Sequence, residues 1–165
     1  MSQNLMSSST SSLSHCNENG EASMVDVGGK EITERCAIAR CEIQMKPETF
    51  QLLQEGRLKK GDAFTVAKIA GILAAKRTHE LIPLCHPLPL EHIEIRFSNR
   101  PHEDGILIGS EVRTTAKTGV EMEALTGAMV TALTLYDMAK SYDPAMVITN
   151  LRLVKKTGGK SDFLL

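Results

Sequence analysis

The chain has no tryptophan, two tyrosines and four phenylalanines in 165 residues. Its core must therefore be aliphatic, drawn from a hydrophobic fraction of 42%, which is enough for one ordinary domain. Aromatic platforms for stacking nucleic-acid bases are scarce for the same reason. A basic excess is also missing. Lys plus Arg number 19 against 20 Asp plus Glu, for a net charge of −1, whereas a dedicated nucleic-acid binder carries a clear positive surplus. No apolar run approaches the length of a membrane span, and the first thirty residues lack the charged, apolar, small-residue order of a secretory signal. The expectation is a cytoplasmic protein with neither membrane nor nucleic acid as partner. Cys16, Cys36, Cys41 and Cys85 fall at irregular spacings, with no CxxC or HxxxH pattern, so they read as reduced thiols and no metal set is expected.

Residues 1–23 are Ser-rich and carry no Lys or Arg, the composition of a disordered tail. Residues 24–157 read as a single domain and 158–165 as a flexible C-terminal tail. Within the domain the hydrophobic period alternates. Ala37, Ala39, Cys41, Ile43 and Met45 recur every second residue, a one-sided strand over 33–45. Pro47 opens a short helix that Gly56 stops, and Asp62 is placed to cap a longer helix over about 63–79. Period two returns over 92–98 and 106–115, a hairpin whose loop ends at Gly105. Residues 120–140 have Met122, Leu125, Met129, Leu133 and Tyr136 at helical spacing, and 147–154 is a last strand. The order β–α–α–β–β–α–β predicts an α+β, ferredoxin-like split β-α-β sandwich, an antiparallel sheet with helices on one face. Small-residue stripes run along both long helices, at Ala63, Ala67, Gly71 and Ala75, and at Ala124, Ala128 and Ala132, which suits close helix packing inside one subunit.

Several segments have the makings of a site. Leu84-Cys85-His86-Pro87-Leu88 lies in a stretch with three prolines in seven residues, so Cys85 and His86 are presented on a rigid extended loop. A buried structural cysteine beside a loop histidine is the plainer alternative. Glu121 and Glu123 open the 120–140 helix, where the helix dipole alone would favour them. Asp137 and Lys140 form an i, i+3 pair at its far end. This is either a surface ion pair or an acid/base unit whose members tune each other. Glu123 and Asp137 share a helix face but stand about 21 Å apart along it, so both can serve one site only if a second chain closes that distance. Lys60 precedes the second helix in a turn suited to phosphate. Gly158-Gly159-Lys160-Ser161 ends like a phosphate loop, but the first required glycine falls at Val154, so a Walker site is excluded. The glycine pair reads instead as a hinge for a lysine-bearing tail.

Met24-Val25-Asp26-Val27, Lys60-Gly61-Asp62, Leu84-Cys85-His86-Pro87-Leu88, Lys117-Thr118-Gly119-Val120-Glu121-Met122-Glu123-Ala124-Leu125-Thr126 and Tyr136-Asp137-Met138 follow in order. Over residues 22–162 the chain closely resembles the cyclic pyranopterin monophosphate synthase (MoaC) family of molybdenum-cofactor biosynthesis. The resemblance implies a lyase that converts 3′,8-cyclo-7,8-dihydroguanosine 5′-triphosphate into cyclic pyranopterin monophosphate and diphosphate. It implies a homohexamer, a trimer of dimers, with sites at subunit interfaces. No redox cofactor is needed for this step, and there is room for a divalent cation travelling with the triphosphate. Carried over residue by residue, the catalytic groups fall on Asp137, Lys140 and Lys60. The substrate contacts fall on Leu84, Cys85, His86, Glu121, Met122, Glu123, Lys156 and Arg35. A regulatory module that binds the same small molecule without turnover is the main alternative, and released diphosphate discriminates between the two.

Overall fold

The alternation over 33–45 is the strand β1 (Thr33–Gln44) in the computed structural model, which describes residues 21–100 and 105–165. Residues 1–20, the bulk of the Ser-rich segment, and residues 101–104 lie outside the described residues. Along β1, Ala37, Ala39, Cys41 and Ile43 are fully buried, and Arg40 between them is exposed, as a strand with one covered face requires. Next come α1 (Pro47–Gln54), α2 (Ala63–Lys76) and the single turn α3 (Thr78–Leu81). The hairpin β2 (His92–Asn99) and β3 (Gly105–Ala116), the helix α4 (Glu121–Ala139), and β4 (Val147–Thr157) with the two-residue β5 (Phe163–Leu164) complete the chain. The sheet order is β2-β3-β1-β4-β5, antiparallel throughout. β1 and β2 flank β3, and β3 and β4 flank β1. This is the split β-α-β arrangement expected from the element order, with α2 and α4 packed on the sheet.

Two element boundaries and one buried face differ from the sequence reading. α2 stops at Lys76, where Arg77 leaves helical geometry (φ −111°, ψ 15°) and the Thr78 hydroxyl donates to the Ala75 carbonyl at 3.0 Å. β4 runs on through Lys155, Lys156 and Thr157 because these residues keep pairing with β1. α4 buries a different face from the one marked by its largest apolar residues. The covered positions are Glu123, Ala124, Gly127, Ala128, Thr131, Ala132, Leu135, Met138 and Ala139, while Met122 and Leu133 are 38% and 51% exposed. Small side chains let α4 lie close to both the sheet and α2, while Leu135 and Met138 fill the core and Met122 and Leu133 turn outward.

The contact between the two long helices has almost no free space. A methyl at Gly71 would meet Thr131 Oγ1 at 2.1 Å and the Gly127 carbonyl oxygen at 2.9 Å. Both stripes read in the sequence are thus buried inside one subunit. Phe97, on β2, packs edge-on against Phe64 of α2 with ring centroids 5.0 Å apart, so it belongs to the core. No described helix is long and apolar enough to cross a membrane.

Candidate active site

The proline-rich loop after α3 runs along the start of α4. It is pinned by the Thr114 hydroxyl donating to the Pro89 carbonyl at 2.6 Å and by the Cys85 N–H donating to Ile82 at 3.0 Å. Leu84, Cys85, His86 and Leu88 form one wall of a cavity of about 320 Å³. Thr118, Gly119, Glu121, Met122 and Glu123 form the opposite wall, and Val25 closes it. The two segments singled out in the sequence, 84–88 and 118–123, thus make one recess. Its chemistry is set by Glu123, which is 5% exposed. Burial pushes its carboxyl up to about 7, partly offset by a backbone hydrogen bond and reinforced by the charge of Glu121. At neutral pH this group can hold or release a proton. Burial, then the Glu123 charge, also raises the Cys85 thiol, so Cys85 is a neutral contact surface and not an activated nucleophile.

Glu123 carries a stability prediction. An unfolded Glu titrates near 4.5, whereas the folded chain retains this proton up to about 7. Between those values the folded state binds more protons, so the sign is destabilising as pH rises. The loss is complete just above pH 7 and is on the order of 3 kcal/mol. Urea denaturation at about pH 5 and about pH 8.5 checks it: the wild-type chain loses stability between the two relative to Glu123→Gln, and parallel profiles would refute the assignment.

A second cavity, of about 220 Å³, opens beside the first and shares Thr118, Gly119 and Glu121 with it. Lys30, Arg35, Lys117, Lys156 and Lys160 line it, and Glu121 is its one carboxylate among the lining residues. These cations come from distant parts of the chain. Arg35 is on β1, its guanidinium donating to the carbonyls of Ala116 and Lys117 at 3.4 and 3.5 Å. Lys117 leads into α4 and donates to the Gly28 carbonyl, holding the strand of chain that carries Val25 and Lys30. Lys156 pairs opposite Ala37, which puts it on the helix-bearing face, 3.5 Å from Glu121 Oε1. The turn after β4 delivers Lys160, and Gly158 is required there. Its φ is +85°, and a Cβ would meet the Glu34 carbonyl oxygen at 1.8 Å. Lys30 and Lys117 were not singled out as candidates from the sequence. Lys117 had a legible signal in its place before Thr118-Gly119 at a helix start; Lys30 had none.

The remaining candidates form a separate cluster at the other end of α4. Asp137 Oδ1 is 2.7 Å from Lys140 Nζ, and Oδ2 is 2.8 Å from Lys60 Nζ, which also donates to the Asp137 carbonyl at 2.7 Å. Lys60 reaches it from the turn before α2, where Gly61 takes φ +91° and Asp62 caps the helix by accepting from the Thr65 N–H. Hydrogen bonds from Lys140 and Lys60, then their charges, hold the Asp137 carboxyl down at about 2. Asp137 in turn raises the Lys140 ammonium. All three side chains are about half exposed. The structure therefore gathers Leu84, Cys85, His86, Glu121, Met122 and Glu123 in one place and joins Arg35 and Lys156 to them. It brings Lys60, Asp137 and Lys140 together about 21 Å away along the helix. Among the described residues no group of three or more His, Cys, Asp and Glu side chains could hold a metal ion.

The sequence has known relatives. The MoaC family model matches residues 24–159, from the segment before β1 to the turn after β4. A cyclic pyranopterin monophosphate synthase of Pelotomaculum thermopropionicum is 55% identical over 151 residues, 92% of this chain and 89% of the relative. Proteins of the same name from Brevibacillus brevis and Thermomicrobium roseum are 53% and 51% identical, over 92% and 90% of this chain and 94% and 90% of their own. The recess, the Lys60–Asp137–Lys140 cluster and all of the basic cavity's lining except Lys160 and Ser161 lie inside the matched span, and the chain belongs to the MoaC family.

Proposed function

We propose that this chain catalyses the reaction for which its relatives are named, a phosphorus–oxygen lyase step of molybdenum-cofactor biosynthesis. The substrate is 3′,8-cyclo-7,8-dihydroguanosine 5′-triphosphate, and the products are cyclic pyranopterin monophosphate and diphosphate. The observation that carries this reading is the junction at Thr118, Gly119 and Glu121, where a largely apolar recess holding the buried Glu123 carboxyl meets a cavity ringed by cations. A nucleotide-derived ligand has the same two halves. The base-derived ring suits the recess of Leu84, Met122 and Glu123, with His86 at its edge. The phosphates suit Arg35, Lys117, Lys156 and Lys160.

The chemistry follows from these positions. Rebuilding a purine-derived ring as a pterin needs repeated proton transfer, and Glu123 is tuned to exchange protons near neutrality. In the phosphoryl step a ribose-derived hydroxyl attacks the α-phosphorus, its proton leaves to a base, and the bond to the departing diphosphate breaks. Asp137 and Lys140 are the acid/base pair for this sequence. A ligand anion that takes up the charge of Lys60 and Lys140 releases the Asp137 carboxyl from the range near 2 towards one where it accepts a proton. No redox cofactor enters this scheme, and a divalent cation has a place only as a companion of the triphosphate.

A homohexamer, a trimer of dimers with sites between subunits, belongs to the same proposal. The distance along α4 supports it, because another copy can bring its Asp137 end to the cavities. So do the exposed apolar positions Val66, Ile69 and Leu73 on α2, with Met122 and Leu133 on α4. A cytoplasmic setting is supported by the GTP-derived substrate and by the free thiols Cys36, Cys41 and Cys85. The test is incubation with the cyclised nucleotide. Diphosphate and the cyclic monophosphate appear together, and Lys117→Ala raises KM by about 10- to 100-fold, the loss of one charge-assisted phosphate contact. Substrate bound but recovered unchanged would make the chain a binding module.

A further inference from the structure

Glu121 is out of place in the basic cavity. Five cations line it and one carboxylate faces them. That carboxylate is 3.5 Å from Lys156 Nζ, and both side chains are about one third exposed. Its position depends on a missing side chain: a Cβ at Gly119 would come within 2.0 Å of Glu121 Oε2. The carboxylate therefore folds back over the Gly119 backbone and lies at the seam of the two cavities. The helix dipole explains an acid in this first turn, but it does not explain why the acid turns towards the lysines and not to solvent.

We infer that Glu121 is a displaceable stand-in for the ligand's phosphate, neutralising Lys156 while the site is empty and returning to it as the diphosphate product departs. This rests on the reading of the cavity as the phosphate site. An incoming polyanion competes with the carboxylate for the same ammonium, so Glu121 lowers affinity for every phosphate species, product included. A cavity of this charge without the competitor would retain diphosphate. Glu121 thus acts as a positioning residue that sets product release through Lys156.

The test is titration of the assembled protein with inorganic diphosphate at low ionic strength, in wild type, Glu121→Gln and Glu34→Gln. Glu34 flanks Arg35 but does not line the basic cavity, so its variant removes the same charge without touching the contact. Glu121→Gln is expected to bind diphosphate about tenfold tighter, the scale of one close charge pair. The inhibition constant of diphosphate should fall in step and kcat should fall with slower release, while Glu34→Gln stays at the wild-type value. Wild-type or weaker affinity in Glu121→Gln overturns the inference and leaves the phosphate site standing. Equal tightening in both variants also overturns it, since the effect would then be one of overall field. Absence of diphosphate binding in wild type and Glu121→Gln alike overturns both this inference and the cavity reading.

Discussion

Asp137→Asn is expected to remove turnover almost completely, by about 10²- to 10⁴-fold in kcat, the range for loss of a positioned acid/base group. The amide keeps the shape of the carboxyl but cannot carry the charge that orders Lys60 and Lys140 around it at 2.8 and 2.7 Å. It also cannot accept and return a proton. The cluster is about half exposed and contributes no core contacts, so the thermal midpoint should stay close to that of the wild-type chain. Lys140→Ala should behave in the same way. The separation of this cluster from Glu123 adds a sharper result. If different subunits supply the two ends of each site, inactive Asp137→Asn and inactive Glu123→Ala chains should regain a measurable fraction of activity when refolded together. Some mixed interfaces would then pair two intact halves. Steady-state rates on the mixture against each parent check this, and a mixture as inactive as its parents would place each complete site within one chain.

Gly71→Ala is expected to lower stability through the contact between the two long helices. In Gly71→Ala the new methyl meets Thr131 Oγ1 at 2.1 Å, Gly127 O at 2.9 Å and Ile95 Cδ1 at 3.3 Å, so α2 and α4 must separate. Alanine recovers up to about 1 kcal/mol of helix propensity, but forced overpacking costs about 1–3 kcal/mol and loosens the surrounding small-residue contacts as well. A net loss of about 2 kcal/mol corresponds to a fall in Tm of roughly 4–8 °C for a domain of this size. Thr131→Ala in the same chain relieves the closest contact and should recover part of the loss. Calorimetry on the single and double variants decides it. An unchanged midpoint for Gly71→Ala would mean that the helices are not held at this distance.

Much of this molecule is legible along the chain because strands and helices write different periods. β1 reads directly from Ala37, Ala39, Cys41 and Ile43, and α2 from Asp62 and the residues after it. The Leu84-Cys85-His86 loop stands out because prolines restrict the backbone whatever surrounds it. The buried face of α4 is harder to read. Bulky apolar residues mark one stripe and small residues another, and only the closeness of the sheet and α2 selects the small one. Lys30 left no trace because its role comes from where the segment before β1 crosses the start of α4, a contact made through the Lys117 bond to Gly28.

The sequence by itself determined the element order, the antiparallel sandwich and the rigid loop, because these follow from local period, capping and proline restriction. The family resemblance pointed to Lys156, but what turns it rather than Lys155 to the site is decided by the tertiary structure. Leu153 pairs with Ala39, so simple alternation would turn Lys155 to the helix side and Lys156 away. A bulge at Val154 resets the register, setting Lys155 against Ile38 and Lys156 against Ala37. One unpaired residue reverses the facing of every side chain after it, and the hydrophobic pattern carries no sign of it. The pairing with β1 fixes it, and that pairing brings Lys156 to Glu121.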